Sequence, residues 1–233
     1  MNNQANALLS AVAVSALAAC SPEAAKATST LTVTIEGLDP GRRLPVSAAF
    51  CAPPGVAPKD HNISPAVQWT PGPQGTQSYV LIMTDVDVPA DLTLINRPGV
   101  ILGDDTPRMS LVHWLLIDIP ANITRLERGV ESDGYRAPGL PVGKTPHGVR
   151  GANAYTFFFP KDSPLASVRA GYDGPCPPRN DTRAHRYITR IYALDTPTLG
   201  LEDVFFADEV ERKMSGHILA VGETEAISGA QLK

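Results

Sequence analysis

Proline and glycine interrupt this sequence so often that long helices are poorly served by it. The 22 Pro and 19 Gly point instead to many turns and short strands. They are densest in Gly171-Tyr-Asp-Gly-Pro-Cys-Pro-Pro178, which is followed closely by His185-Arg-Tyr187. Proline fixes φ and glycine permits unusual dihedrals, so such a loop is stiff and sharply bent, and can hold backbone N–H groups toward a ligand. The next segment, residues 186–194, is a run of β-branched, aromatic and aliphatic residues that reads as a strand. His185 and Tyr187, two apart, project from one face of it.

A chain of 233 residues that is 43% hydrophobic can bury one sizeable core. Its net charge of −4, with no Lys/Arg cluster beyond Arg42-Arg43, argues against a nucleic-acid surface. The N-terminus carries an address. Residues 7–19 are apolar but too few to span a bilayer, and Leu17-Ala-Ala-Cys20 resembles the bacterial lipobox. Cleavage there would leave Cys20 as a lipidated N-terminus. The expected organisation is a lipoprotein-type signal peptide over 1–19, a tether over 20–30 and one domain over 31–233. The expected location is membrane-anchored, facing the periplasm or cell exterior. Residues 1–6 lack the basic character usual in export signals, and an ordinary signal peptide with Cys20 incidental is the alternative. With Cys20 spent, Cys51 and Cys176 remain as candidates for one disulfide in an oxidising compartment, or as two free thiols or a redox pair.

Along the chain, residues 31–35 alternate as a strand, residues 67–69 form a second, and 79–83 form a continuous apolar strand. In 111–119, Leu111, His113, Leu115, Ile117 and Ile119 fall on one face, which places His113 on an apolar row. Residues 121–150 read as a connection and 155–159 as a strand. Val210, Met214, Ile218 and Val221 recur at helical spacing, with Asp208 and Glu211 set as a capping box and Gly216 inside the helix. Short strands, long loops and one late helix predict a mainly β, sandwich-like single domain.

The chemistry-bearing groups are Asp85 and Asp87, at the end of a buried strand and expected to face the same way, with His113 and His185. Two carboxylates so close need compensation by cations, donors or a shared proton. Four readings stand. The first is an anion pocket, in which imidazoles, Tyr187 and loop N–H groups hold a phosphate or carboxylate. The second is a metal site, although the spacing is no recognised ligand motif. The third is hydrolysis by paired carboxylates, against which an i, i+2 pair lies on one side of a substrate rather than flanking a bond. The fourth is purely structural. No Gly-x-Ser-x-Gly, His-Glu-x-x-His, P-loop or dinucleotide fingerprint is present. Cys176 beside His185 is conceivable as a nucleophile, though Pro175 and Pro177 pin it.

Taken in order, Asn62-Ile-Ser-Pro65 with Trp69, Asp85-Val-Asp-Val-Pro89, His113-Trp114, the 171–178 loop, His185-Arg-Tyr187 and Gly216-His-Ile-Leu-Ala220 resemble the phosphatidylethanolamine-binding protein family, its bacterial branch above all. The resemblance covers about residues 31–222. It implies an antiparallel β-sandwich with peripheral helices and a small pocket for phosphate-like anions or phospholipid head groups. By position it carries Asp85, Asp87, His113, His185 and Tyr187 over as pocket residues, and Gly174, Cys176 and Pro178 as its bordering loop. Cys51 resembles a cysteine of exported members, which favours its bridge to Cys176. Val86 replaces the family's proline between the aspartates, and residues 129–170 are longer than in compact members. The expected protein is a binding protein without catalytic residues, metal or cofactor. Its partners would be a small anion or head group, the membrane through a lipid anchor, and no nucleic acid. A homodimer is suggested by the bacterial branch. The alternatives are a module that inhibits a protease or other enzyme through surface loops, and a hydrolase using the Asp/His cluster.

Overall fold

The structure, a computed structural model, describes residues 29–159, 162–163 and 167–229; Cys20 and the expected signal segment lie outside the described residues. The first elements are strands β1 (Ser29–Thr30), β2 (Val33–Ile35), β3 (Val67–Trp69) and β4 (Ser78–Pro89). Then come β5 (Arg108–Pro120), β6 (Arg125–Leu126), β7 (Gly143–Thr145), β8 (Gly148–Arg150) and β9 (Gly171–Tyr172). The last are β10 (His185–Leu194), helix α1 (Ala207–Met214) and β11 (Ile218–Ser228).

Two sheets face each other. The larger runs β1-β11-β10-β4-β5-β8-β7, with β9 also on β5, and the smaller runs β2-β3-β6. All pairings are antiparallel except β1 with β11, and Arg43 makes a further parallel bridge to Ile227. The apolar run of β4 is central because it is buried on both faces, which suits an interior strand. Tyr79, Leu81 and Met83 meet Val33, Val67 and Trp69 of the small sheet. Val80 and Ile82 face the other way, under Leu201, Phe205 and the Val210 and Met214 stripe of α1. Each such burial contributes about 1.5–3 kcal/mol. The chain is thus a mainly β, antiparallel two-sheet protein.

Four local expectations are corrected. Residues 155–159 do not form a strand: Ala154–Phe157 is a 3-10 turn, started by the Asn153 side chain accepting the Tyr155 N–H. The helix stops at Met214. Gly216 turns at φ 86°, and Ile218 and Val221 enter β11 opposite Leu194 and Tyr192. The capping box is not formed, since Phe206 holds the cap position without a side-chain bond, and Asp208 pairs with Arg212. The third concerns the row on β5, which is broken. The β4–β5 ladder slips between Met83 and Thr84, so His113 turns toward Tyr187 of the inter-sheet core while Leu115 and Ile117 face the α1 side. Finally, the supposed connection 121–150 contributes β6, β7 and β8.

Candidate functional site

Pairing of β10 with β4 sets Tyr187 opposite Asp85, which brings the start of β10 to the end of β4. The slip in β5 delivers His113 to the same place. These elements form the floor of a cavity of about 180 Å³, where Asp85, His113 and His185 are exposed to the space. Its walls are aromatic, from Phe50, Tyr155, Phe158 and Phe159. Cys51, Cys176 and Pro178 close one side. Cys51 and Cys176 are joined as a disulfide, with Cα atoms 4.9 Å apart across 125 residues of sequence.

Charge alternates along the floor. His185 Nδ1 donates to Asp85 Oδ2 at 2.7 Å and Nε2 donates to Asp181 Oδ2 at 3.1 Å. Asp181 in turn is held by both terminal nitrogens of Arg108. Burial works against a charge on His185, but the bonds and charges of Asp85 and Asp181 outweigh it and raise its pKa above the usual 6.5. A ring with a carboxylate on each nitrogen is an imidazolium. Its stabilising contribution is complete below the unfolded value and is lost as pH rises through the higher folded value. Nitrogen-resolved NMR is expected to show the His185 ring doubly protonated above pH 6.5, and Asp85→Asn to bring its titration down. A ring that titrates at or below 6.5 in both proteins would contradict the arrangement.

His113 differs. Its Nδ1 donates to the Asp173 carbonyl at 2.8 Å, which leaves Nε2 toward the cavity, 4.0 Å from Asp85 Oδ2. Edge contacts to Tyr155 and Tyr187, with ring centroids 5.3 and 5.2 Å away, fix the plane of the imidazole.

Of the expected site residues, the cavity gathers Asp85, His113, Cys176, Pro178 and His185. Asp87, Gly174 and Tyr187 are not among its lining. Asp85 and Asp87 do not face the same way: the ladder slips between Asp85 and Val88, and Asp85 Oδ1 accepts the Asp87 N–H at 2.9 Å. Asp87 turns to Arg186, at 2.8 Å, and Arg183, at 3.1 Å. Burial disfavours its charge, but the two guanidinium groups prevail and hold its carboxyl at about 2. Tyr187 lies fully buried beneath His113, and burial with the nearby Asp85 charge keeps its phenol protonated far above the usual range.

The 171–178 loop departs from expectation in part, because three of its five N–H groups are already used. Tyr172 donates to the Glu131 carbonyl, Asp173 to that of His113, and Gly174 to Asn62 Oδ1. Gly174 is required by close approach: a Cβ there would lie 1.9 Å from the Ala48 carbonyl. The loop's main contribution is Asp173, which the sequence reading passed over. Its carboxylate accepts from Asn62, Asn153 and twice from Arg169, at 2.8–3.1 Å. Asn62 occupies the left-handed region at φ 58°, which asparagine tolerates better than most residues. Arg169, also missed, lies over the Phe50 ring at 5.2 Å and so ties this network to the cavity wall. Among the described residues no group of three or more His, Cys, Asp or Glu is arranged to hold a metal ion.

Comparison with known proteins agrees with the mainly β fold. A family model described as phosphatidylethanolamine-binding protein matches residues 34–228. An Aquifex aeolicus protein named UPF0098 is 33% identical over 159 residues, covering 68% of this chain and 70% of that one. A UPF0098 protein of Methanothermobacter thermautotrophicus is 33% identical over 166 residues, 71% of this chain and 81% of the other. In fold, the chain matches the crystal structure of Escherichia coli YbcL, described as a member of the mammalian PEBP family, with TM-score 0.61 at 23% identity, over 87% of this chain and all of that one. A putative homologue of the same family from Chlamydia trachomatis gives TM-score 0.58 at 22% identity, over 88% of this chain and all of the other. With the family model covering nearly the whole described chain and the two-sheet fold shared with solved relatives, this chain belongs to the phosphatidylethanolamine-binding protein family.

Proposed function

We propose that the protein is an exported binding protein whose cavity takes a phosphate-like anion or phospholipid head group, without catalysing its conversion. The observation that carries this reading is His113 Nε2. The ring is fixed through Nδ1 to the Asp173 carbonyl, and its second nitrogen is directed into a small space. When that nitrogen is protonated it donates to an anion, and the charge it gains sits beside Asp85. The Phe50, Tyr155 and Phe158 walls suit the apolar part of an ester attached to the anion. Cys176 and Cys51, the two cysteines that line the cavity, are consumed in the disulfide and offer no free thiol as nucleophile. The lipobox-like Leu17–Cys20 segment supports tethering to a membrane from which head groups would be drawn.

A ligand that binds only the folded state stabilises it, by about 2.7 kcal/mol at 100 times its dissociation constant. For a domain of this size that is a rise of roughly 5–10 °C in Tm. Phosphate or phosphoethanolamine is expected to give such a rise in the wild type, and His113→Ala and Asp85→Asn to abolish it. Equal protection of all three proteins would overturn the reading.

A further inference from the structure

Beside the cavity, the surface continues into two further hollows. One of about 640 Å³ shares the disulfide as a wall, and an open one of about 510 Å³ is lined by Arg97, Val100, Arg179 and Asn180. Asn96 lines the cavity and both hollows. It is the junction between them.

The two arginines are unlike most others in the molecule. Arg108, Arg183 and Arg186 each grip a carboxylate. Among the described residues the guanidinium groups of Arg97 and Arg179 have no hydrogen bond or ion pair, and no acidic side chain lines their hollow. Asp91 feels the charge of Arg97 but turns its carboxylate to Thr93.

The backbone beneath these free cations is tightly built. Asn96 N–H donates to Asn180 Oδ1 at 2.8 Å, and Arg179 N–H donates to Asn96 Oδ1 at 2.7 Å. Asn180 Nδ2 donates to the carbonyls of Leu94 and Val100, each at 3.0 Å, and the Asn180 carbonyl accepts from Leu102. Asn96 adopts φ 54° to make this exchange. Five hydrogen bonds therefore hold two arginine-bearing loops side by side, which reduces the ordering cost of gripping an anion between them. The Asn96 Nδ2 group is left as a free donor at the junction. Guanidinium groups match phosphate oxygens in charge and fork geometry.

We propose that Arg97, Arg179 and Asn96 form a second anion subsite at the mouth of the cavity, and that the ligand this protein selects carries two phosphate groups. One would reach His113 and the other would rest between the arginines. The inference builds on the cavity reading above and names the ligand class for it.

The test compares α,ω-alkanediol bisphosphates of three and six carbons with the alkyl monophosphates of the same lengths, by calorimetry. A linked second contact acts at high effective concentration, so the better-fitting bisphosphate is expected to bind at least about tenfold more tightly than its monophosphate. The Arg97→Ala/Arg179→Ala variant should lose that gain and keep monophosphate binding. Neither side chain supports the fold, and Arg128→Ala, which removes an exposed charge elsewhere, should keep the gain. His113→Ala should weaken both ligand types. No gain in the wild type, or a gain that survives in the double variant, would overturn the subsite while leaving the cavity reading intact. Monophosphate binding indifferent to His113→Ala would bring down the cavity reading and the spanning ligand with it. Vesicles containing cardiolipin, which carries two phosphates on one head group, separate a lipid from a soluble source. Preference for them over charge-matched phosphatidylglycerol vesicles, lost in the double variant, assigns the lipid; a soluble gain without that preference assigns a free bisphosphate.

Discussion

Asp173→Ala is expected to lower stability by about 3–5 kcal/mol, because it strips a buried ion pair of one member. Four side-chain bonds end on the Asp173 carboxylate, and Arg169, 1% exposed, would keep its charge with nowhere to place it. Arg169 Nη1 is already without a partner, so the site has no spare acceptor to offer. Urea unfolding reads the effect directly, and a loss below about 1 kcal/mol would show that the network is not what holds this region. Asp173→Asn keeps an acceptor and the side chain's shape, and should fall between the two. The consequence reaches the cavity, since the same residue's carbonyl orients His113 and its N–H donates back to the His113 carbonyl.

Removing the disulfide is expected to be of similar size. A cross-link closing 125 residues restricts the unfolded chain by about 5 kcal/mol in the chain-entropy model, an upper figure, with measured losses for native bridges of about 2–5. The Cys51→Ala/Cys176→Ala protein should therefore melt roughly 5–15 °C lower than the oxidised wild type. Reduction of the wild type should reproduce the shift. An unchanged melting temperature in both experiments would mean that the bond constrains nothing the fold does not already fix. Backbone bonds from Phe50 and Cys51 to the Pro175 carbonyl join the same two loops, so the variant is expected to retain the fold while loosening this wall.

What could be read from sequence follows the range of the interactions involved. Strands β4, β5 and β10 are legible because β-branched, aromatic and aliphatic residues crowd together in each between turn signals, and burial on one or both faces demands that. The end of α1 was not legible. Ile218 and Val221 satisfy a helical spacing, and only the left-handed turn at Gly216 hands them to β11. Asp85 and Asp87 looked equivalent because alternation assumes an unbroken ladder. The slip after Asp85 separates one aspartate for the cavity from the other for Arg186. The gathering of Asp85, His113 and His185 was readable through motifs, but their tuning was not. His185 owes its charge first to Asp85, 100 residues away in sequence, and then to Asp181, which Arg108 holds from 73 residues away, and no local pattern encodes these pairings. Phe50 and Tyr155 were missed as cavity walls for the same reason. Their rings meet at 4.4 Å although they lie far apart in the chain.

The outer side of β11 has a bearing on assembly. A long strand with a vacant rim invites another chain to continue the sheet. Here the rim is taken at two points by unrelated pieces of the same chain. Leu31 donates to Val221, and farther along Leu44 and Ile227 exchange bonds with Ile227 and Arg42 respectively, at 2.9–3.0 Å. A second chain that continued the sheet at these points of β11 would have to displace both segments.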